Sequence, residues 1–360
     1  MSFTSLKIVI LGLSITSSWG NGHATTYRGL VRELANLGHD VLFLERDMPW
    51  YASNRDMPAL PSVRTELYSD PGELQDRFLA DVKEADLVLL GSYVPEGVRI
   101  GELIIEAARG IKAFYDIDTP VTLAKMEAGD FEYLAPKLIS QFDLYLSFTG
   151  GPILQKLEVQ YGARRAKAFY CSADPSLYYP ENLEKRWELG YLGTYSDDRQ
   201  HPLELLMIQP ARLWAQGRFV VAGPQYPDHI RWPHNMERIE HLPPSCHRSF
   251  YNAQKFTLNI TRADMVRAGY SPSVRLFEAA ACGTPIISDY WQGLDEFFKI
   301  GSEILISRSP EETTNYLLHM SEEERAAIGE RARARVLVSH TAAHRAAELE
   351  GFTLDLLNGH

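Results

Sequence analysis

The chain alternates between short apolar runs and longer segments in which apolar residues recur every three or four positions. The first run, KIVILGL, spans residues 7–13, the segment after it spans residues 23–38, and the next run, DVLFLER, spans residues 40–46. Continuous runs of β-branched and aromatic residues are typical of strands that helices cover on both faces. The pattern therefore predicts βαβ units that build a parallel sheet.

The alternation pauses at residues 174–187 and then starts again. This stretch, DPSLYYPENLEKRW, contains two prolines and a run of charges but no apolar periodicity, which predicts an exposed linker. Strand-like runs then recur in the order ELGYLGT, RFVVAG, KFTLNIT, TPIISDY and EILIS. The pattern predicts two similar α/β domains, over residues 1–173 and 188–335, and a final helix over residues 336–360.

The composition excludes several kinds of partner and binding site. A formal net charge of -11 over 360 residues argues against nucleic acid or an anionic membrane as the main partner. The three cysteines lack CxxC spacing, which excludes a cysteine-rich zinc site. The first apolar run is too short to cross a membrane, and the polar residues Ser14 and Thr16 follow where a signal peptide would stay apolar. We expect a cytoplasmic protein without a transmembrane segment.

Ligands of open parallel sheets bind beyond the carboxyl ends of the strands, so two such domains are expected to face each other across a cleft. The stretch SPSVRLFEAAACGTPIISD predicts a buried helix over about residues 272–282, with Ser271 able to cap it. A carboxylate in this helix, Glu278, needs a partner. One alternative is Arg275, one turn earlier. The other is a ribose in the cleft, with free N–H groups near Ser273 facing a phosphate.

The same stretch resembles the C-terminal signature of glycosyltransferases of the GT-B fold. Together with LGYLGTYSDDRQ before it and SHTAAHRA after it, the chain resembles the CgeB-like (spore-maturation) glycosyltransferase family, most densely over residues 188–346. The resemblance implies two Rossmann-like domains facing a cleft, with the last helix crossing back to the N-terminal domain. It also implies that Glu278 binds the nucleotide ribose. Retaining relatives carry a second Glu where this chain has Tyr270, so the stereochemical outcome stays open.

The donor-binding residues are expected in the second domain. Arg262 ends the predicted strand KFTLNIT, where a guanidinium is able to clamp a diphosphate, and a surface arginine is the alternative. By resemblance, basic residues ahead of the Glu-bearing helix hold the diphosphate. Thr194 is a further phosphate contact, unless its LGT segment is only a turn. The predicted nucleotide-binding set comprises Glu278, Arg262, Ser271, Ser273, Thr194, Tyr270, Gly22 and Asn21.

The segment SSWGNGHATTYRGL provides the acceptor-side residues. Gly20 and Gly22 lie in the first strand-to-helix loop, where backbone N–H groups are available to a phosphate or a sugar hydroxyl. The spacing is not GxGxxG, and no acidic residue stands in the expected context, so a dehydrogenase is a poor fit. His23 is a candidate base near neutral pH, with an exposed or capping histidine as the alternative.

Two patterns invite a metal-binding interpretation. Asp116 and Asp118 in FYDIDTP spell DxD, which metal-dependent glycosyltransferases of another fold use, whereas GT-B relatives usually need no metal. We predict that Asp118 is a catalytic base or a ligand of the acceptor hydroxyl, and that Asp116 caps the following turn. His340 and His344 have the spacing of one helix face, but no third ligand is near, and packing of the final helix is the preferred interpretation.

Together these features predict a metal-independent glycosyltransferase that has no cofactor. It would move a sugar from a nucleoside-diphosphate sugar to a hydroxyl of a carbohydrate or small-molecule acceptor. Two alternatives remain open. One is a non-catalytic protein of spore-coat or envelope assembly that binds a sugar nucleotide or polysaccharide, and the weaker one is a nucleotide-sugar epimerase.

Overall fold

The computed structural model describes residues 5–19, 22–61 and 63–359. The chain forms two compact units. The first unit comprises Met1–Cys171 and Ala342–His360, and the second comprises Ser172–Thr341. Among the helices that the structure describes, none combines the length and the apolar character that a membrane span requires.

The first unit is built on a seven-stranded parallel sheet. Its strands are β1 (Lys7–Gly12), β2 (Asp40–Arg46), β3 (Arg64–Tyr68), β4 (Leu87–Gly91), β5 (Ile111–Asp116), β6 (Leu144–Ser147) and β7 (Ala166–Ala168). In space they follow the order β3-β2-β1-β4-β5-β6-β7. The helices before the second unit are α1 (His23–Asn36), α2 (Pro49–Ala52), α3 (Pro71–Glu84), α4 (Gly97–Ala107), α5 (Thr119–Glu127), α6 (Pro136–Ile139) and α7 (Pro152–Val159).

The second unit is built on a six-stranded parallel sheet in the order β10-β9-β8-β11-β12-β13. Its strands are β8 (Trp187–Leu192), β9 (Phe219–Ala222), β10 (Met236–Ile239), β11 (Gln254–Asn259), β12 (Ile286–Ser288) and β13 (Leu305–Ile306). Its helices are α8 (Asp197–Leu203), α9 (Gln209–Leu213), α10 (His247–Asn252), α11 (Ala263–Ala268), α12 (Val274–Ala281), α13 (Leu294–Phe297), α14 (Pro310–His319) and α15 (Glu322–Ser339).

Both sheets have the same topology, because each begins in the middle, grows to one side and then continues on the other. The strand order reverses between β1 and β4 in the first sheet, and between β8 and β11 in the second. The loops after two such strands lead to opposite faces of the sheet and leave a crevice at the carboxyl ends. The prediction of two Rossmann-like domains is confirmed, and each unit has one place where a ligand is expected.

The last helix, α16 (Ala342–Leu357), returns to the first unit and packs on α1. A Cβ placed on Gly29 of α1 would lie 3.0 Å from the Cβ of Ala342, so the missing side chain permits this close approach. His39 Nε2 lies 3.2 Å from an Oε1 oxygen of Glu350 and adds a polar contact to the same helix. The C-terminal segment is therefore part of the core of the first unit.

The stretch at residues 174–187, predicted to be an exposed linker, lies within the second unit. Tyr178 in it is 4% exposed, and Trp187, which begins β8, is 6% exposed. These aromatic side chains are buried singly and not along a periodic face. The sequence pattern therefore gave no sign of their packing.

Two local predictions need correction. The helix expected over residues 272–282 begins later, at Val274, because Ser273 and not Ser271 precedes its first turn. His340 and His344 do not share a helix face, since α15 ends before the first and α16 contains the second. Instead, the ring of His340 stacks on Phe277 with the ring centroids 4.8 Å apart.

Candidate functional site

The loop after β8 lies where the strand order of the second sheet reverses. The Tyr226 hydroxyl donates to the Gly193 carbonyl at 3.0 Å. Arg199 donates from Nη2 to the Thr194 carbonyl at 2.6 Å and from Nε to Ser196 Oγ at 2.9 Å. The predicted phosphate residue Thr194 therefore lies in this loop, and its carbonyl is engaged by an arginine.

Arg275, the second residue of α12, places a guanidinium at the same crevice. Its Nε donates to the Leu192 carbonyl at 2.5 Å and its Nη1 to Asn259 Oδ1 at 2.9 Å, at the ends of β8 and β11. Nη2 lies beside Gly193, and the hydrogen bonds of this guanidinium to the described residues run from Nε and Nη1. Arg275 is only 8% exposed and stands at the N-terminus of α12, so its positive charge is largely buried. The Nη2 edge of the guanidinium is the part left to donate to a ligand. Such a group is suited to a phosphate.

A polar network at the ends of β11 and β12 holds this arginine in place. Asn259 Oδ1 also accepts from Ser273 Oγ at 2.8 Å, and the Asn259 amide donates to Ser288 Oγ at 2.9 Å. Asp289 accepts from the Thr261 backbone N–H at 3.0 Å and from its hydroxyl at 2.9 Å. Buried polar groups that satisfy each other specify one arrangement. The network therefore fixes the start of α12 against the sheet.

Arg262 immediately precedes α11 and lines an open cavity of about 520 Å³. Its side chain is 39% exposed, with Nε 3.7 Å from an Oδ2 oxygen of Asp198. Asp198 is itself held by the Ala263 N–H at 2.9 Å. The structure thus brings the predicted diphosphate residue to the same loop after β8 that Arg199 braces.

The turn before α12 contains three further predicted donor residues. Tyr270 has a left-handed backbone with φ of 48°, and its N–H donates to the Gln292 carbonyl at 2.7 Å. Ser271 is 1% exposed. The hydroxyl of Ser273 bonds to Asn259 and does not cap the helix. The first N–H groups of α12 therefore donate no bond to the Ser273 side chain, and they remain the groups at this turn suited to an anion.

Glu278 lies on the next turn of α12, 4% exposed, and Arg275 makes its hydrogen bonds elsewhere. The Tyr251 hydroxyl donates to Glu278 Oε2 at 3.3 Å, and the Tyr178 hydroxyl donates to the same carboxylate. Burial raises the pKa of Glu278 to about 7, although both tyrosines and the charge of Arg275 oppose the rise. The alternative of a helix ion pair with Arg275 is therefore not what the structure contains.

His247 lies next to the Glu278 carboxylate. Its Nε2 lies 3.2 Å from the Leu242 carbonyl, which makes Nε2 the donor in the neutral ring. Its Nδ1 is then an acceptor, 3.9 Å from Glu278 Oε2 and without a hydrogen-bond partner among the described residues. Burial lowers the pKa of His247 to about 4, so the ring is neutral at pH 7.

The stability of a Glu278→Gln variant is expected to depend on pH differently from that of the wild type. A carboxyl whose folded pKa is raised contributes stability below its unfolded pKa of 4.5 and loses it as pH rises to about 7. The free energy of unfolding of the variant, relative to that of the wild type, should therefore rise between pH 4.5 and 7 by on the order of 3 kcal/mol. Urea unfolding at several pH values measures the difference. An ion pair of Glu278 with Arg275 would instead lower the pKa of the carboxyl, so the variant would lose ground to the wild type as pH rises toward 4.5 and would gain nothing above it.

In the first unit, the loop after β1 is held by Glu45 near the end of β2. Glu45 is fully buried and accepts from the N–H groups of Ile15 at 2.6 Å and Thr16 at 2.9 Å, and from the Ser14 hydroxyl at 3.1 Å. An acid at the end of the second strand binds a ribose in dinucleotide folds. The expectation that no acid stands in that context is thus corrected. The dehydrogenase stays a poor fit, because this carboxylate bonds its own loop.

His23 and Asp118 come together at the carboxyl end of this sheet. His23 begins α1, Asp118 precedes α5, and Nε2 lies 4.0 Å from Oδ2, with the two side chains 17% and 20% exposed. Burial lowers the pKa of His23, partly offset by the nearby carboxylate. The Tyr93 hydroxyl donates to the same Oδ2 at 3.2 Å, and its ring centroid lies 5.4 Å from that of His23. The two predicted catalytic residues therefore form one cluster, together with a tyrosine that was not predicted.

The Asp116 side chain lies in the core of the first unit. It is 0% exposed and accepts from Thr122 Oγ1 at 2.6 Å and from the Tyr145 hydroxyl at 2.5 Å. Burial raises the pKa of Asp116 to about 6. Asp116 also accepts from the Asp118 N–H at 3.3 Å, so it braces the turn as predicted, from a fully buried position. Among the described residues, no group of three or more His, Cys, Asp or Glu side chains is placed to hold a metal ion.

The glycine loop before α1 is described only in part. Gly22 precedes α1, and its surroundings leave open space where a side chain would stand. Asn21 and Gly20 lie outside the described residues.

Residues 199–351 match the sequence family described as glycosyl transferase-like. No curated protein matches the sequence. The sucrose-phosphate synthase of Thermosynechococcus elongatus has a similar structure, with a TM-score of 0.68 at 12% identity over 98% of this chain and 100% of that one.

Two further solved structures are similar over nearly their whole length. Anabaena HepE, in complex with UDP-glucose, has a TM-score of 0.70 at 14% identity, over 96% of this chain and 99% of that one. AviGT4, a glycosyltransferase involved in avilamycin A biosynthesis, has a TM-score of 0.63 at 16% identity, over 99% of both chains. These likenesses show the GT-B fold. The family match adds a glycosyl transferase-like segment that lies mostly in the second unit.

Proposed function

We propose that the protein transfers a sugar from a nucleoside-diphosphate sugar to an acceptor hydroxyl without a metal ion. The observation that carries the proposal is the set of arginines at the loop after β8. Arg199 braces this loop, Arg262 lines the cavity beside it, and Arg275 keeps an unused donor edge next to Gly193. Cleavage of a glycosidic bond leaves negative charge on the departing diphosphate, and prearranged guanidinium groups stabilise that charge.

Uridine is the nucleoside that we propose for the donor. Two of the similar structures, HepE and an α-glucosyltransferase, were solved with UDP-glucose. The ribose would bind at Glu278, where the carboxylate and the unpartnered His247 Nδ1 offer two acceptors to donor hydroxyls. We further propose membership of the CgeB-like subfamily, on the sequence resemblance alone.

The acceptor would be activated in the first unit. His23 is neutral near pH 7 because burial lowers its pKa, and Asp118 lies beside it. A hydroxyl bound at this pair would give up its proton as it attacks the sugar, which is the work of a general base. We assign the base to the pair, since the carboxylate is able to stabilise the imidazolium or to accept the proton directly.

A thermal-shift panel of nucleoside diphosphates in EDTA tests the donor site and the absence of a metal together. At one hundred times its dissociation constant, a ligand that binds only the folded state adds about 2.7 kcal/mol of stability. We expect UDP to raise the melting temperature in EDTA, and added Mg²⁺ to change little. Stabilisation only with Mg²⁺ would overturn metal independence. No stabilisation by any nucleoside diphosphate would overturn the proposed donor.

A further inference from the structure

The turn after β4 holds Tyr93 in a strained conformation. Its φ is 64°, a left-handed value that bulky residues rarely adopt. The turn is tied to the end of β5, because the Ser92 N–H donates to the Tyr115 carbonyl at 2.9 Å and Ser92 Oγ accepts from the Ile117 N–H at 3.1 Å. Strain of this kind persists only where the surrounding structure imposes it, and it concentrates at functional sites.

Asp118 also departs from the usual behaviour of its position. It immediately precedes α5, where an aspartate carboxylate normally accepts bonds from the first N–H groups of the helix. Its side chain makes no such bond. Oδ2 instead accepts from the Tyr93 hydroxyl at 3.2 Å and faces His23 Nε2 at 4.0 Å. The Asp118 carboxylate thus faces the His23 imidazole and not the N-terminus of α5. The hydroxyl of Tyr93 holds it in this orientation.

We propose that Tyr93 is a positioning residue that orients the Asp118 carboxylate for proton transfer from the acceptor hydroxyl. The inference rests on the proposed function. Its ring packs against Tyr133, with centroids 4.7 Å apart, as well as against His23. Burial and the charge of Asp118 raise the pKa of Tyr93, so its hydroxyl stays a donor throughout the range in which the enzyme would work. The side chain therefore acts through Asp118 and not as a base.

A double-mutant cycle tests this inference. Tyr93→Phe keeps the ring packing and removes the hydroxyl, so kcat should fall roughly tenfold while KM for the donor stays unchanged. In an Asp118→Asn background the same change should have no further effect, because the two residues act as one unit. Tyr161→Phe is the matched control, since its hydroxyl also donates to a carboxylate, Glu127, at 3.2 Å. Melting temperatures establish that each variant is folded.

The possible outcomes separate two failures. If Asp118→Asn lowers kcat and Tyr93→Phe then lowers it further by the same factor, the two residues act independently and the positioning role is wrong. The same conclusion follows if Tyr93→Phe behaves like Tyr161→Phe. If Asp118→Asn itself keeps the wild-type kcat, Asp118 is not the member of the pair that takes the proton, and the role of Tyr93 is wrong whether or not His23 is the base.

Discussion

An Asp118→Asn variant should lose turnover by about 10² to 10⁴-fold and keep its affinity for nucleoside diphosphate. Asparagine has the same shape and still accepts the Tyr93 bond through its amide oxygen, but it takes up no proton at neutral pH. The loss of turnover would therefore reflect the missing proton acceptor and not a change in the shape of the site. Steady-state kinetics with a calorimetric titration of UDP separate the two quantities.

Asp130→Asn is the control for this variant. Asp130 lies shortly after α5, and its carboxylate pairs with Lys125 at 2.9 Å on the surface. The same chemical change there should leave kcat unaltered. His23→Ala tests the other member of the pair. Normal turnover in both His23→Ala and Asp118→Asn would place the base elsewhere.

Arg275→Lys should weaken UDP binding about 10- to 100-fold, corresponding to about 1.5 to 3 kcal/mol for a lost hydrogen bond to a charged group. Lysine keeps the charge, but one ammonium has no planar fork with which to hold Leu192 and Asn259 and also present a donor to the phosphate. The variant should also melt at a lower temperature, because the Leu192 carbonyl loses the bond that it accepts from Arg275 Nε. Titrations at low temperature keep it folded.

Uridine separates the binding role of Arg275 from a purely structural one. If the guanidinium contacts phosphate, the variant should bind uridine as the wild type does and only UDP more weakly. Arg267→Lys serves as the control, since this arginine lines the cavity beside the loop after β8, together with Arg262, but is 70% exposed and pairs with Asp264. An equal loss for uridine and UDP would contradict the phosphate assignment of Arg275.

The sequence was sufficient to predict both sheets because their strands are buried on both faces and stand out as apolar runs. It was not sufficient for Arg275. Helical spacing pairs this residue with Glu278, whereas its partners Leu192 and Asn259 lie 83 and 16 positions away. Such contacts depend on how strands end beside each other, which no local pattern encodes.

The same limit applies to the first unit. Tyr93 lies in SYVPEG, an ordinary turn sequence, and its importance comes from a φ of 64° that tertiary contacts impose. His23 and Asp118 were predictable, because titratable residues stood immediately after predicted strands or at a predicted helix start. Their contact with each other, at 4.0 Å, required the sheet order that places β1 beside β4 and β5 next to β4.

Glycosyl transfer itself is the activity to measure. Purified protein in EDTA is incubated with UDP-sugars and a panel of hydroxyl acceptors, and mass spectrometry follows the acceptors while UDP release is measured. We expect an acceptor heavier by one glycosyl residue, with one UDP released per product, and about 10²- to 10⁴-fold less of both from Asp118→Asn. Tight UDP-sugar binding without any product across the panel would contradict this expectation and favour a non-catalytic binding protein, and conversion of the donor to another UDP-sugar without acceptor would favour an epimerase.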